Sequence, residues 1–233
     1  MAPPTPFRPA LLVIDVQNDF CPGVGGEGGG EPDGALAVAG GREIIPIIND
    51  LLARPGWVLR VATRDWHPAG HVSFAERHAG KRAFVDSVEI VGAGGGRYRA
   101  RLWPAHCVQG TWGAELARGL AVGRVDVRVD KGTGREVEML SAFGDPLRAA
   151  DTGLAARLRA AGATHVYVVG LALDHCVRAT AADGRAAGWP VVVVREATRA
   201  VDAGRAGEVE RELEAMGVAV RGLADEEVAG WLA

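Results

Sequence analysis

Cys176 is the residue whose position in the sequence most suggests covalent chemistry. It lies in the segment GLALDHC, where a predicted apolar strand passes through a short turn into a predicted helix. A helix N-terminus lowers the pKa of a thiol and offers free peptide N–H groups to a developing oxyanion. Free cysteine is also among the most often buried residue types, so a structural role stays open. The strand-to-helix position favours a nucleophile.

Asp15 and Lys131 also come directly after predicted strands. Asp15 closes the apolar run ALLVID, and a carboxylate that emerges from such a run is costly unless it has a partner or a task. Taken singly, the two residues also fit a loop carboxylate and a surface lysine. If both meet the Cys176 thiol at one sheet edge, the carboxylate could take the thiol proton and pass it to a leaving amine. The lysine would then hold both anionic partners.

A second group of side chains suggests a metal site. The segment RDWHPAGH supplies Asp65, His67 and His71, and WPAHC supplies His106. A carboxylate with two or three imidazoles suits zinc, iron or manganese and leaves positions open for water or substrate. The alternative is a set of solvated loop histidines.

Three aromatic residues lie beside these polar groups in the sequence, namely Phe20, Trp66 and Trp103. Aromatic side chains next to a site can sandwich a flat ligand ring, although ordinary core packing is the alternative.

The elements that must position these residues alternate between short apolar runs and amphipathic stretches. Strands are predicted at 10–15, 57–65, 125–132, 164–172, 190–197 and 217–222, and helices at 41–56, 151–161, 176–187 and 206–216. The alternation predicts a three-layer α/β/α fold with a mostly parallel six-stranded sheet and ligands at the carboxyl ends of its strands. The stretch 67–112, with a glycine cluster at 92–96, is predicted to be irregular.

The composition narrows the class of protein. With 233 residues, 48% hydrophobic, 24% charged and a net charge of -3, we expect a soluble globular protein with a single domain over residues 1–233. The charge balance argues against nucleic acid or a membrane surface as partner. Three cysteines in no CxxC spacing exclude a disulfide framework. A proline-rich start and the lack of a long apolar run predict a cytoplasmic location.

Six segments in the same order carry a resemblance to a known family. They are ALLVIDVQNDFCPG at 10–23, TRDWHPAGHVSF at 63–74, LWPAHCVQGTWGAEL at 102–116, DKGT at 130–133, SAFGD at 141–145 and GLALDHCVRATA at 170–181. Together they span most of the chain. The sequence resembles the nicotinamidase/pyrazinamidase family of the isochorismatase-like, or cysteine hydrolase, superfamily.

The resemblance implies roles for the strand-end residues. Asp15 would be the general base, Lys131 its partner and Cys176 the nucleophile. A cis peptide bond just before Ala172 would let the N–H groups of Ala172 and Cys176 form an oxyanion hole. Leu173 departs from the family, in which a threonine is common at this position, so local hydrogen bonding is expected to differ.

The resemblance also implies one divalent metal ion, with zinc expected first and iron or manganese open. Its ligands would be Asp65, His67 and His106, whereas the histidine equivalent to His71 binds the metal only in some members. Phe20 and Trp103 match aromatic residues that stack on a pyridine ring. Related isochorismatases and carbamoylsarcosine amidases generally lack this metal site.

The implied activity is the hydrolysis of nicotinamide to nicotinate and ammonia through a thioester, with pyrazinamide as a further substrate and a role in NAD salvage. The first alternative is a related hydrolase acting on another small amide or vinyl ether. A non-catalytic binding protein of the same fold is more remote, and ALLVID is followed by VQNDFC rather than the G-x-G-x-x-G of a dinucleotide-binding domain. A homo-oligomer is one of the assembly states that the sequence allows.

Overall fold

The structure is a computed structural model that describes residues 7–25 and 30–229. Eight strands and five α-helices lie in these ranges. The strands are β1 Pro9–Ile14, β2 Leu59–Asp65, β3 Ser87–Val91, β4 Arg97–Arg101, β5 Val127–Lys131, β6 His165–Leu171, β7 Val191–Arg199 and β8 Ala219–Arg221. The helices are α1 Ile44–Ala53, α2 Leu154–Ala160, α3 Arg178–Ala186, α4 Ala206–Ala215 and α5 Glu226–Ala229.

Six strands form one parallel sheet in the order β5-β2-β1-β6-β7-β8. Strand β1 is buried along its whole length, and successive side chains of a strand point to opposite faces. Leu11 and Val13 therefore pack with α1 on one face, while Leu12 and Ile14 pack with α2, α3 and α4 on the other. The predicted three-layer α/β/α fold with a six-stranded sheet is confirmed.

The predicted elements are all present, with ends shifted by a few residues. The prediction for 67–112 is wrong in one part, because β3 and β4 form an antiparallel hairpin there. The glycine cluster at 92–96 is its turn, which the Gly92 N–H closes by donating to the Gly96 carbonyl at 2.9 Å. Of the ten residues in the two strands, only Ile90 and Ala100 are buried. The hairpin therefore lacks the apolar runs that mark the other strands.

The carboxyl edge of the sheet collects the ends of four neighbouring strands. β2 ends at Asp65 and β5 at Lys131, while Asp15 comes directly after β1 and Ala172 directly after β6. Because the strands are parallel, these residues lie at the same edge. Within the described ranges, every helix is too short or too polar to cross a bilayer.

Candidate active site

Lys131 lies at the centre of a buried cluster at this edge. Its Nζ donates to Asp65 Oδ1 at 2.5 Å and to the Met139 carbonyl at 3.2 Å. The same Nζ lies 2.9 Å from Asp15 Oδ2 and 3.4 Å from Cys176 Sγ. The structure thus brings Asp15, Lys131 and Cys176 together, and we call these three residues the thiol cluster.

Asp15 is held in a defined orientation by β2. The Thr63 hydroxyl donates to Asp15 Oδ1 at 2.5 Å, and the Asp15 N–H donates to Thr63 Oγ1 at 3.1 Å. The backbone of Asp15 is left-handed, with φ of 48°, as the chain turns out of β1. These contacts leave Oδ2 to face Lys131, and this oxygen accepts no other hydrogen bond within the described residues.

The ionisable groups of the cluster shift one another's pKa values. Burial raises the pKa of Asp15 to about 6, with Asp65 adding to the effect and Lys131 opposing it. Burial alone would lower the pKa of Lys131, but Asp15, Asp65 and Cys176 together raise it well above its ordinary value. Burial opposes ionisation of Asp65 as well, yet Lys131 and the nearby imidazoles lower the pKa of this carboxyl. The result is an ammonium ion between two carboxyl groups and a thiol.

The expected activation of Cys176 by a helix N-terminus is not what the structure shows. Cys176 lies in a π-helical turn, Leu173–Val177, that precedes α3. Burial and the neighbouring carboxylates raise the pKa of its thiol well above the ordinary value, although Lys131 opposes this. The resting sulfur is therefore a thiol, and it could act as a nucleophile only after its proton had passed to a neighbouring base.

The turn that carries Cys176 has three defining features. The peptide bond between Leu171 and Ala172 is cis, as the resemblance implied. The side chain of Leu173, the departure from the family pattern, is buried in the apolar core beside α3. Asp174 accepts hydrogen bonds from the N–H groups of Val201 and Asp202 at 2.9 and 3.0 Å.

Asp65, His67 and His106 form a second group, the imidazole cluster, beside the first. One ligand atom from each residue lies within 4.8 Å of the others, and all three side chains are buried. The Nδ1 of His67 donates to the Gly132 carbonyl at 2.9 Å, and the Nδ1 of His106 donates to the Pro104 carbonyl at 2.8 Å. These contacts occupy Nδ1 of each ring and leave Nε2 as the nitrogen available to a metal ion.

Two further features suit His67 to metal binding. Burial lowers its pKa to about 3, so the ring is neutral. Gly132 has a φ of 62°, and a Cβ atom at this position would lie 2.4 Å from the His67 ring. Only glycine allows this close approach.

His71 has no free ring nitrogen in this structure. Its Nε2 donates to the Val137 carbonyl at 2.9 Å, and its Nδ1 lies 2.8 Å from Ser73 Oγ. The ring is stacked on that of His67, with the two centroids 4.1 Å apart. His71 thus packs against the face of the His67 ring and lies outside the imidazole cluster.

A pocket opens over both clusters. Its lining combines apolar, aromatic and ionisable side chains, namely Phe20, Leu36, Asp65, Trp103, His106, Glu138, Leu140, Ala172, His175, Cys176 and Val201. Phe20 and Trp103 are thus both present, whereas Trp66 is not among the lining residues and packs under the Arg64 guanidinium, 4.0 Å away. An apolar and aromatic lining with a few ionisable groups is typical of small-molecule sites.

The sequence did not predict a role for three residues near the pocket, namely Thr63, Glu138 and His175. His175 stands directly beside Cys176 and Thr63 stands two residues before Asp65, and that proximity was their only signal. Glu138 lies in an irregular segment and has no comparable signal. The other cysteines, Cys21 and Cys107, are buried and unpaired, and burial raises the pKa of both thiols.

A buried thiol beside a carboxylate and an ammonium group, at the carboxyl edge of a parallel sheet, is typical of hydrolases with a cysteine nucleophile. Residues 9–225 match the family model of the isochorismatase domain. A nicotinamidase from Acinetobacter baylyi is 42% identical to this chain over 194 residues, covering 83% of this chain and 82% of that protein. The chain belongs to the isochorismatase family and, within it, to the nicotinamidase group.

Solved structures agree with this assignment. The yeast nicotinamidase bound to the inhibitor nicotinaldehyde is 32% identical, with a TM-score of 0.83 over 92% of this chain and 99% of the other. The pyrazinamidase of Pyrococcus horikoshii in complex with zinc is 34% identical, with a TM-score of 0.68 over 92% of this chain and 99% of the other.

Proposed function

We propose that this protein hydrolyses nicotinamide to nicotinate and ammonia. The observation that carries the proposal is the contact of one buried ammonium group, Lys131 Nζ, with both Asp15 and the Cys176 sulfur. The similarity to nicotinamidases, one of them bound to nicotinaldehyde, supports a pyridine ring as the substrate group. Pyrazinamide, which differs only in its ring, is the second expected substrate.

The first chemical step is attack of the Cys176 sulfur on the amide carbon. Asp15 takes the thiol proton, and its pKa of about 6 keeps it ionised at neutral pH while leaving it basic enough to act. Lys131 stabilises the negative charge as it moves between the carboxylate and the sulfur. Ala172 and Cys176 both line the pocket, and their peptide N–H groups would stabilise the oxyanion.

The second half of the reaction reuses Asp15. Its proton passes to the amide nitrogen as the C–N bond breaks, which releases ammonia and leaves a thioester on Cys176. Asp15 then takes a proton from water as the water oxygen attacks the thioester carbon. The C–S bond breaks, and the thiolate recovers the proton from Asp15 as nicotinate forms.

The imidazole cluster fits one divalent metal ion. Asp65 offers a carboxylate oxygen, and His67 and His106 offer Nε2 atoms that are not used in hydrogen bonds to the backbone. This donor set and the zinc complex of the related pyrazinamidase support zinc, with iron or manganese as alternatives. When bound, the metal would act as a Lewis acid that holds the pyridine nitrogen directly or through water. Phe20 and Trp103 would stack on the ring.

The test is ammonia release from nicotinamide by the purified protein. Cys176→Ala should lose at least about 10⁴ in kcat/KM, because the nucleophile is gone. Cys21→Ala is the matched control, since this thiol is also buried but lies outside the pocket. Treatment with a chelator should lower the activity, and zinc should restore it.

Turnover by Cys176→Ala at the normal rate would contradict the mechanism. A protein that ignores nicotinamide but hydrolyses another small amide or a vinyl ether would favour the related-hydrolase alternative. The single domain over residues 1–233, the role in NAD salvage, the cytoplasmic location and a homo-oligomeric assembly stay predictions from the sequence.

A further inference from the structure

Asp19 is a buried carboxylate that the proposed mechanism does not use. It lies in the short turn Asn18–Phe20 after β1, and only 9% of the residue is exposed. Within the described residues it forms no ion pair, and its two oxygens accept peptide N–H groups instead. Oδ1 accepts from Ala35 at 3.1 Å, and Oδ2 accepts from Cys107 at 2.7 Å. Because hydrogen bonds to a buried charge are strong, Asp19 fastens the two segments that donate them.

The contact with Cys107 bears directly on His106. The N–H group of Cys107 belongs to the planar peptide that joins these two residues, so its hydrogen bond to Asp19 fixes the orientation of that peptide. Cys107 has a left-handed backbone, with φ of 47°, which residues other than glycine adopt only with support from their surroundings. The His106 ring is held by the Pro104 carbonyl at 2.8 Å. The ring and the backbone of His106 are thus held separately, and Asp19 holds the backbone.

The same loop also sets the position of His67. The Cys107 carbonyl accepts the His67 N–H at 3.0 Å, and the His67 carbonyl accepts the Gln109 N–H at 2.8 Å. His67 and Val108 form an isolated parallel bridge at this point. The spacing of the two imidazole groups therefore depends on where this loop lies, and Asp19 fastens the loop to the turn after β1.

The Asp19 carboxylate reaches the loop through a space that Gly113 leaves open. A Cβ atom at position 113 would collide with the carboxyl group of Asp19. Asp19 itself is not among the residues that line the pocket. Any effect of Asp19 on a bound metal must therefore pass through the loop that it holds.

We propose that Asp19 is a positioning residue for the imidazole cluster. By holding the peptide between His106 and Cys107, it keeps the Nε2 atoms of His67 and His106 in place for one divalent ion. This inference rests on the metal site of the proposed function.

The experiment measures the affinity of the protein for zinc. Zinc-loaded wild type and Asp19→Ala are dialysed against buffers of graded free zinc concentration, and the bound zinc is measured by elemental analysis. The Kd for zinc should rise about tenfold in Asp19→Ala, because groups that orient metal ligands contribute to affinity on this scale. Asp145→Ala is the matched control. Asp145 is 2% exposed and also accepts two peptide N–H groups, from Leu147 at 2.9 Å and Ala150 at 2.5 Å, but it lies outside the pocket. Its replacement should leave the Kd for zinc unchanged.

A second variant reaches the same contact from the other side. Gly113→Ala adds a methyl group that would displace the Asp19 carboxylate, so it should also weaken zinc binding. Thermal unfolding without zinc checks that each variant is folded, and Gly113→Ala decides the matter if Asp19→Ala does not fold.

A wild-type Kd for zinc in folded Asp19→Ala would overturn the role of Asp19. An equal loss of affinity in Asp145→Ala would overturn it too, because it would show a general loosening of the fold. A wild-type protein that binds no zinc would overturn it together with the proposed metal site. A wild-type protein that binds zinc but does not hydrolyse nicotinamide contradicts the proposed function alone, so the two failures are distinguishable.

Discussion

The thiol cluster and the imidazole cluster lie beside the same pocket, but different parts of the fold position their residues. Asp15, Lys131 and Cys176 come from the ends of strands or the turn after one, so the hydrogen-bonded sheet sets their spacing. His67 and His106 come from loops and are oriented by single carbonyl groups. The groups that exchange a proton in the proposed reaction are thus placed by the most rigid part of the fold. The two imidazoles of the proposed metal site are placed by loops, which can vary while the sheet is retained.

Asp65 is the residue that joins the two clusters. Its Oδ1 accepts from Lys131 at 2.5 Å, while its Oδ2 lies 3.7 Å from the His67 Nε2. One carboxylate therefore neutralises the ammonium of the first cluster and completes the donor set of the second. Disturbing it should affect both, whereas disturbing a histidine should affect only one.

The greatest change in stability should come from Asp65 because of this double role. Asp65→Ala and His106→Ala should both lose the bound metal, as elemental analysis of the purified variants can show. Only Asp65→Ala also leaves the buried Lys131 ammonium with one carboxylate fewer. Its free energy of unfolding, measured without metal by urea denaturation, should fall by about 3 kcal/mol. His106→Ala should change this value much less. Equal losses in the two variants would contradict the division into two clusters.

Thr63 allows a test of the thiol cluster alone. The Thr63 hydroxyl stabilises ionised Asp15, so Thr63→Val should raise the pKa of Asp15 above its value of about 6. Asp15 would then be protonated at a higher pH, and the acidic limb of the kcat/KM profile should move upward by about one pH unit. Thr63→Ser keeps the hydroxyl and should retain the normal limb. An unmoved limb in Thr63→Val would show that this hydrogen bond does not tune the base.

Smaller changes in stability and in KM are expected where the β3–β4 hairpin contacts the residues of the pocket. Tyr98→Phe removes the two hydrogen bonds that fasten the β3–β4 hairpin to Glu138. We expect a loss of about 1 kcal/mol in the free energy of unfolding, because Tyr98 is only partly buried. The KM for nicotinamide should rise about twofold while kcat stays constant, since this contact does not reach the thiol cluster. A fall in kcat without a change in KM would contradict the separation between the two regions.

The sheet and the residues at its strand ends are the predictable part of the molecule. Buried strands such as β1 are continuous apolar runs, and a parallel arrangement brings their carboxyl ends to one edge. The meeting of Asp15 and Lys131 could therefore be expected from order along the chain. The β3–β4 hairpin could not, since it is stabilised by backbone pairing and by Tyr98 rather than by an apolar run.

The position of each group could be predicted from the sequence better than its chemical environment. The strand-to-helix location of Cys176 suggested a lowered thiol pKa, but burial beside two carboxyl groups has the opposite effect. In the same way, the sequence left His71 open as a metal ligand, and only the packing shows that both of its ring nitrogens are engaged.

Local apolar patterns and motif spacing were enough to establish the order of the strands and helices, the family, and which residue types reach the edge of the sheet. Tertiary packing settled which side chains contact one another, which ring nitrogens stay free of hydrogen bonds, and that Glu138 lines the pocket. Those properties depend on distances of a few ångströms between residues far apart in the chain, and on the loss of water around them. Neither quantity is encoded in any single segment.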